Sequence, residues 1–162
     1  MIRIVDPIDD LAAVAAFYAD APDYWVLADG VPPGPQKAAE FFTDTPPNCD
    51  PAESHHLGLF LEGRLSGLAE LSFGFPEVGD AYLGLLMLGP WAQGVGHGRV
   101  MLNEVETRAR SMGAPNLYLA VLAGNPRGRA FWDREGFADT GLGRDTVVGD
   151  RAERITRLVK PL

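Results

Sequence analysis

An α/β or α+β domain built on one mixed sheet is the fold class the sequence predicts. Helical patterns come first, a run of short strands joined by turns follows, and the chain then passes strand, helix, strand, helix, strand. At 162 residues and 17.5 kDa the chain suits one domain, 1–162, that can bury a core without disulfides or metals. Its 46% hydrophobic and 22% charged residues are globular proportions, so overall disorder is excluded.

The elements follow in order. Asp6-Pro7 is a helix-opening pair, and Ile8, Leu11, Ala12, Ala15 and Tyr18 fall on one face at helical spacing. Prolines 22, 32, 33 and 35 mark a loop, Gln36 to Phe42 a short helix, and Thr43 to Glu53 a second loop. His56–Leu61 and Leu65–Phe73 flank Glu62-Gly63-Arg64 as a hairpin. Phe75 to Asp80 turns into Ala81–Leu88, apolar enough for a central strand covered on both faces. A helix from about Val95 to Met112 follows, lined by Met101, Val105, Ala109 and Met112 and stopped by Gly113 and Pro115. Glu104, Glu106, Arg108 and Arg110 form its solvated face. Asn116–Leu122 is a strand, Asn125 to Glu135 a helix ended by Gly136, and Asp145 to Val159 a hairpin turning near Gly149-Asp150.

The net charge of −8 and pI near 4.8 oppose binding to nucleic acid or anionic membrane surfaces. The N-terminal ten residues are no secretory signal, and the longest apolar stretch, Ala81 to Ala92, is too short and too broken to span a bilayer. A lone cysteine, Cys49, allows no internal disulfide and fits a cytoplasmic location. Cys49, Asp50, Glu53, His55 and His56 match no metal spacing, so no metal is expected.

The informative stretch is Leu85 to Leu102, LLMLGPWAQGVGHGRVML. A buried strand ends at Gly89-Pro90, a loop holds Gly94, Gly96 and Gly98, and a helix starts at once. Free amides and the positive dipole end at such a start suit a phosphate or pyrophosphate. A P-loop fails, because Arg99 and Val100 follow the last glycine where Lys and Ser/Thr are needed. A dinucleotide fingerprint fails on glycine spacing and on the missing ribose-binding acid. Gln93, Gly96 and Gly98 do satisfy Q/R-x-x-G-x-G/A.

That segment resembles the acyl-CoA signature of the GNAT superfamily of N-acetyltransferases. Asn125, Ala130-Phe131-Trp132 and Gly136-Phe137 resemble the superfamily's second motif. The resemblance implies a mixed, mostly antiparallel twisted sheet flanked by about four helices, with splayed central parallel strands. It implies that Leu86, Met87 and Leu88 line the acyl-pantetheine arm of acetyl-CoA. Gln93 would head a pyrophosphate loop formed by Gly94, Val95, Gly96, His97, Gly98 and Arg99, and Asn125 would bind the pantetheine. Trp132 stands at the cofactor slot, where many members carry a proton-donating tyrosine. Ala120 stands where some carry a catalytic glutamate.

An indole cannot serve as an acid near neutrality. Glu70 and Asp80 are the candidate bases, and each also reads as an ordinary solvated carboxylate. Tyr82 and Tyr118 are fallback acids, otherwise packed strand aromatics. The loop from Asp20 to Gly34 would wall the acceptor pocket, with Tyr24 and Trp25 as substrate contacts and Asp20, Asp23 and Asp29 suiting a cationic amine. The expected function is direct transfer of an acetyl group from acetyl-CoA to a small-molecule or peptide amine, driven mainly by positioning and a strand N–H near Leu88. A silent acyl-CoA sensor, or an enzyme with another acyl chain or acceptor, remains open. So does a homodimer paired through the terminal hairpin.

Overall fold

The protein is described by a computed structural model covering residues 1–162. Seven strands form one sheet in the order β1-β2-β3-β4-β5-β7-β6. They are β1 (Ile2–Ile4), β2 (His55–Leu61), β3 (Arg64–Phe73), β4 (Ala81–Leu88), β5 (Asn116–Leu122), β6 (Ala138–Val148) and β7 (Arg151–Pro161). Five helices flank them: α1 (Leu11–Asp20), α2 (Asp23–Asp29), α3 (Lys37–Thr43), α4 (His97–Ser111) and α5 (Pro126–Arg134). Every strand pair is antiparallel except β4–β5. The mixed, mostly antiparallel sheet with its flanking helices is as the resemblance implies.

Two cores lie on opposite faces of this sheet. Leu57, Leu71, Leu117 and Leu158 pack against Met101, Leu102, Val105 and Ala109 of α4. Val14, Phe17 and Tyr18 of α1 and Phe41 and Phe42 of α3 cover Leu68, Leu85 and Met87. Leu71 is fully buried in the middle of the first core. Replacing it with alanine leaves a cavity that β3, hydrogen-bonded on both sides, cannot collapse to fill. Leu71→Ala should cost about 2–5 kcal/mol. Urea unfolding would read this as a lower midpoint at unchanged slope.

Several elements differ from the sequence reading. The first helix starts at Leu11, not at Pro7, and Ile8 is exposed. The Asp6 carboxylate accepts the amides of Ile8 (2.7 Å) and Asp9 (2.9 Å), which holds residues 6–9 in a turn. Asp10 then sits at the N-cap position, its carboxylate gripped by both Arg3 amino groups. The loop read after Asp20 holds α2, which starts behind Pro22 and ends at Gly30 with φ 80°. The prolines at 22, 32, 33 and 35 on either side of α2 read as loop signals and hide it. Of the solvated face assigned to α4, Glu106 is buried, bonded to Lys160 and Arg110. Met112, assigned to the core side, caps the helix and is exposed. The final hairpin begins at Ala138 rather than Asp145, and β1 completes the opposite edge.

Candidate active site

Two irregularities of β4 make the site. The first is a bulge: Glu70 pairs with Leu85 and Leu71 with Leu83, so Gly84 has no partner on β3. The extra residue switches the side-chain alternation. Leu83 joins the α4 core, whereas Leu85 and Met87 point to the α1–α3 core. A Cβ on Gly84 would run into the Glu70 carboxylate, so the glycine leaves that carboxylate its place against the bulge. The second is a splay. β4 and β5 pair only at Ala81–Leu117 and Tyr82–Tyr118. Beyond Tyr82 the two strands part, and each keeps only its outer neighbour, β3 or β7. Their inner edges carry free backbone groups, able to hydrogen-bond an extended arm laid between them.

A cavity of about 700 Å³ opens on the bulge. Its walls come from α1 (Tyr18), α2 (Tyr24, Trp25), α3 (Lys37, Glu40, Phe41), the loop 44–47, the strand residues Glu70, Tyr82, Gly84, Leu85 and Ala120, and the β6–β7 hairpin (Arg144, Arg157). Two polar atoms in these walls, Tyr18 Oη and Trp25 Nε1, are buried without a hydrogen-bond partner. Trp25 is fixed by Tyr18 and Tyr24, each edge-on to it, and by the Lys37 ammonium 4.2 Å from a ring centroid.

Glu70 lies at the back of this cavity and is 4% exposed, so it is no solvated surface group. Burial pushes its pKa up to about 7, against the opposing pull of hydrogen bonds from Ser72, Ser54 and the Gly84 N–H. The Ser72 hydroxyl donates to Oε1, and Ser54 Oγ lies 3.0 Å from Ser72 Oγ. A hydroxyl chain thus leads from the buried carboxylate to the half-buried Ser54. A carboxyl group titrating near neutrality at a cavity wall can take or give a proton at working pH. Asp80 is buried too, but it precedes β4, meets only Asn116 Nδ2 at 3.4 Å among side chains, and does not line the cavity. Tyr82 lines it and Tyr118 does not; burial holds the Tyr82 phenol above its ordinary pKa.

At the other end of the splay, Gly94 (φ 78°) and Gly96 (φ 94°) turn the chain into α4. The first helical bond runs from the Val100 N–H to Gly96 O (3.2 Å), so the amides before it have no carbonyl one turn back. A Cβ on Gly98 would press on Phe131 at 3.3 Å, so a glycine here brings α4 and α5 together. Gln93 braces the loop, donating to Leu88 O (3.0 Å) and accepting from Arg127 (2.9 Å). Val95 is exposed, and the Arg99 side chain bonds Glu135 at 3.1 Å while facing solvent. These free amides fit a diphosphate, and the unpaired strand edges at Leu86, Met87 and Leu88 fit an amide-bearing arm. Asn125 Oδ1 caps α5 through the Gly128 N–H (3.0 Å), and Trp132 is packed between Phe131 and Phe137.

Tyr24 and Trp25, which the resemblance sets at the acceptor wall, line this cavity. None of Asp20, Asp23 and Asp29 lines the cavity; Asp20 pairs with Arg64 and Asp29 with Lys37. His55 and His56 diverge, His55 against Phe73 and His56 between Phe41 and Phe42, and no group of three or more His, Cys, Asp or Glu could hold a metal. No helix is long and apolar enough to cross a membrane. The sequence reading did not find Gly84, Ser72, Arg144 or Arg157. Gly84 alone left a signal, as an isolated glycine inside an apolar strand.

The acetyltransferase (GNAT) family matches residues 14–137. Among solved structures, an acetyltransferase from Thermus thermophilus is 26% identical with TM-score 0.77, covering 100% of this chain and 96% of its own. The ribosomal-protein-S18-alanine N-acetyltransferase of Escherichia coli is 19% identical with TM-score 0.74, over 99% and 92%. The paia N-acetyltransferase of Thermoplasma acidophilum, solved in complex with coenzyme A, is 22% identical with TM-score 0.71, over 100% and 98%. No curated protein matches the chain by sequence. The matched span runs from within α1 to the Gly136-Phe137 turn and takes in both the parted strands and the glycine loop, and on that ground the chain belongs to the GNAT family of acetyltransferases.

Proposed function

We propose that the protein is an N-acetyltransferase, one domain over residues 1–162, that moves the acetyl group of acetyl-CoA directly to an amine seated in the 700 Å³ cavity. The observation that carries this reading is Glu70, a buried carboxyl group with a near-neutral pKa placed beside the bulge where β4 and β5 part. The amides from Gly94 to Arg99 would hold the diphosphate, with Gln93 bracing their loop. The strand edge from Leu86 to Leu88 would hold the pantetheine arm. Asn125 and Trp132 keep the wall of that slot in place. When bound, acetyl-CoA supplies an activated acyl carbon and a thiolate leaving group with a reference pKa of about 8.5, which needs no strong acid to depart.

As a carboxylate, Glu70 takes the proton that the amine sheds as its nitrogen bonds to the acyl carbon and the carbon–sulfur bond breaks. Ser72 and Ser54 offer that proton a path outward. A free N–H on the inner edge of β4 polarises the acyl carbonyl, and the aromatic walls from Tyr24 and Trp25 hold the amine and exclude water. Asp80 lies away from the cavity and takes no part in this scheme.

Incubating the protein with acetyl-CoA and a panel of amines should release free thiol only when an amine is present, with one acetylated amine per thiol. Calorimetry should show coenzyme A binding without any amine. Tight binding with no turnover on any amine would instead favour a silent acyl-CoA sensor.

A further inference from the structure

Four arginines lie on the β6–β7 hairpin, and two of them have carboxylate partners outside the cavity: Arg151 with Glu153 and Arg154 with Asp145. Arg144 and Arg157 line the cavity, and neither has a carboxylate within ion-pair distance or a side-chain hydrogen bond. In a chain of net charge −8, two unpaired guanidiniums at one cavity wall are an unusual concentration of positive potential. The Arg157 group is positioned as well as unpaired, with its centre 4.9 Å from the ring of Phe75, which itself stacks edge-on to Tyr82. Both guanidiniums lower the Tyr82 pKa against the stronger effect of burial, which places them near that hydroxyl. The cavity's third cation, Lys37, is already paired with Asp29 (2.8 Å) and Glu40 (3.4 Å).

We propose that Arg144 and Arg157 form a subsite for an acidic group, so that the acceptor is an amine that also bears a carboxylate or similar anion. Its amine faces Glu70, and its acidic group docks on the hairpin. An arginine fork pairs with a carboxylate through two parallel hydrogen bonds, and two forks fix its direction and so the direction of the amine. The guanidiniums do not belong to the diphosphate end, because no residue from Leu86 to Arg99 lines this cavity. The inference rests on the reading of the cavity as the acceptor site, and the experiment separates the two.

Amino acids with α- and ω-amines are assayed as acceptors beside their carboxamide twins, and each pair is also titrated calorimetrically into the protein saturated with coenzyme A. The acids should be favoured in kcat/KM by about tenfold or more. Arg144→Gln and Arg157→Gln should each raise KM for the acids about tenfold. They should leave kcat/KM for the carboxamides, coenzyme A affinity and melting temperature unchanged, and Arg157→Lys should recover part of the loss. Turnover with equal preference for acids and carboxamides overturns the subsite and leaves the transferase standing. Arginine-dependent binding of acids with no turnover supports the subsite and overturns the transferase. An equal loss for both acceptor types in the variants marks a structural role and overturns the subsite.

Discussion

Glu70→Gln should lower kcat by about 10²–10⁴-fold while leaving coenzyme A affinity unchanged. The amide keeps the size of the side chain, so the bulge at Gly84 and the cavity wall persist. Only the proton acceptor is lost. In the unmodified enzyme kcat/KM should rise tenfold per pH unit up to about 7 and then level, because the carboxylate is the working form. In Glu70→Gln that limb should vanish. Full activity across the pH range would remove Glu70 from the mechanism.

The same group shapes stability. Its pKa rises on folding from an ordinary 4.5 to about 7, so between those values the folded state holds the proton more tightly than the unfolded chain. Its contribution is fully present below pH 4.5, is lost as pH rises through about 7, and is flat above. Glu70→Gln lacks this term and should therefore gain on the unmodified protein across that window. The gain is roughly 3 kcal/mol at most, at about 1.36 kcal/mol per pKa unit. Melting curves of both proteins at matched pH values check it. A proton acceptor held at a cost in stability is the pattern expected of a working site.

Gly96→Val should weaken coenzyme A binding about 10–100-fold and leave the acceptor KM unchanged. Gly96 holds φ 94° at the N-cap of α4, where a β-branched residue is strained by about 1–3 kcal/mol. A Cβ there would touch nothing, so the effect comes through the backbone and reorients the amides that follow. Gly63→Val is the control. It sits at φ 79° in the β2–β3 turn, equally free of neighbours and on no wall of the cavity, so it should cost stability and not affinity. Calorimetric titration of coenzyme A into both variants decides it. Equal affinity in both would mean that the diphosphate is held elsewhere.

The end proposed for the coenzyme was legible in the sequence because its geometry is largely local. Gly94 and Gly96 turn the chain by their own positive φ, and Gln93 and Gly98 stand at fixed steps from them, so the spacing is itself the signal. The end proposed for the acceptor was only partly legible. Tyr24 and Trp25 were found as aromatics beside carboxylates, but α2, which carries them, was read as a loop. Glu70 was found, but its burial was not. It depends on the cross-strand partner Leu85 and on Gly84, both far along the chain. Arg144 and Arg157 carried no local mark among fourteen basic residues.

By itself the sequence determined the order of elements from β2 onward, the glycine loop before α4, the Asn125 cap of α5 and the absence of the usual tyrosine and glutamate. All of these depend on residues a few positions apart, where periodicity and backbone preference act directly. Only the tertiary structure decided that the parting of β4 and β5 begins at Tyr82, that Gly84 flips the alternation of β4, and that residues from α1 to β7 meet around one cavity. Sheet pairing sets those outcomes between segments distant in the chain, and the same burial raises the pKa of Glu70.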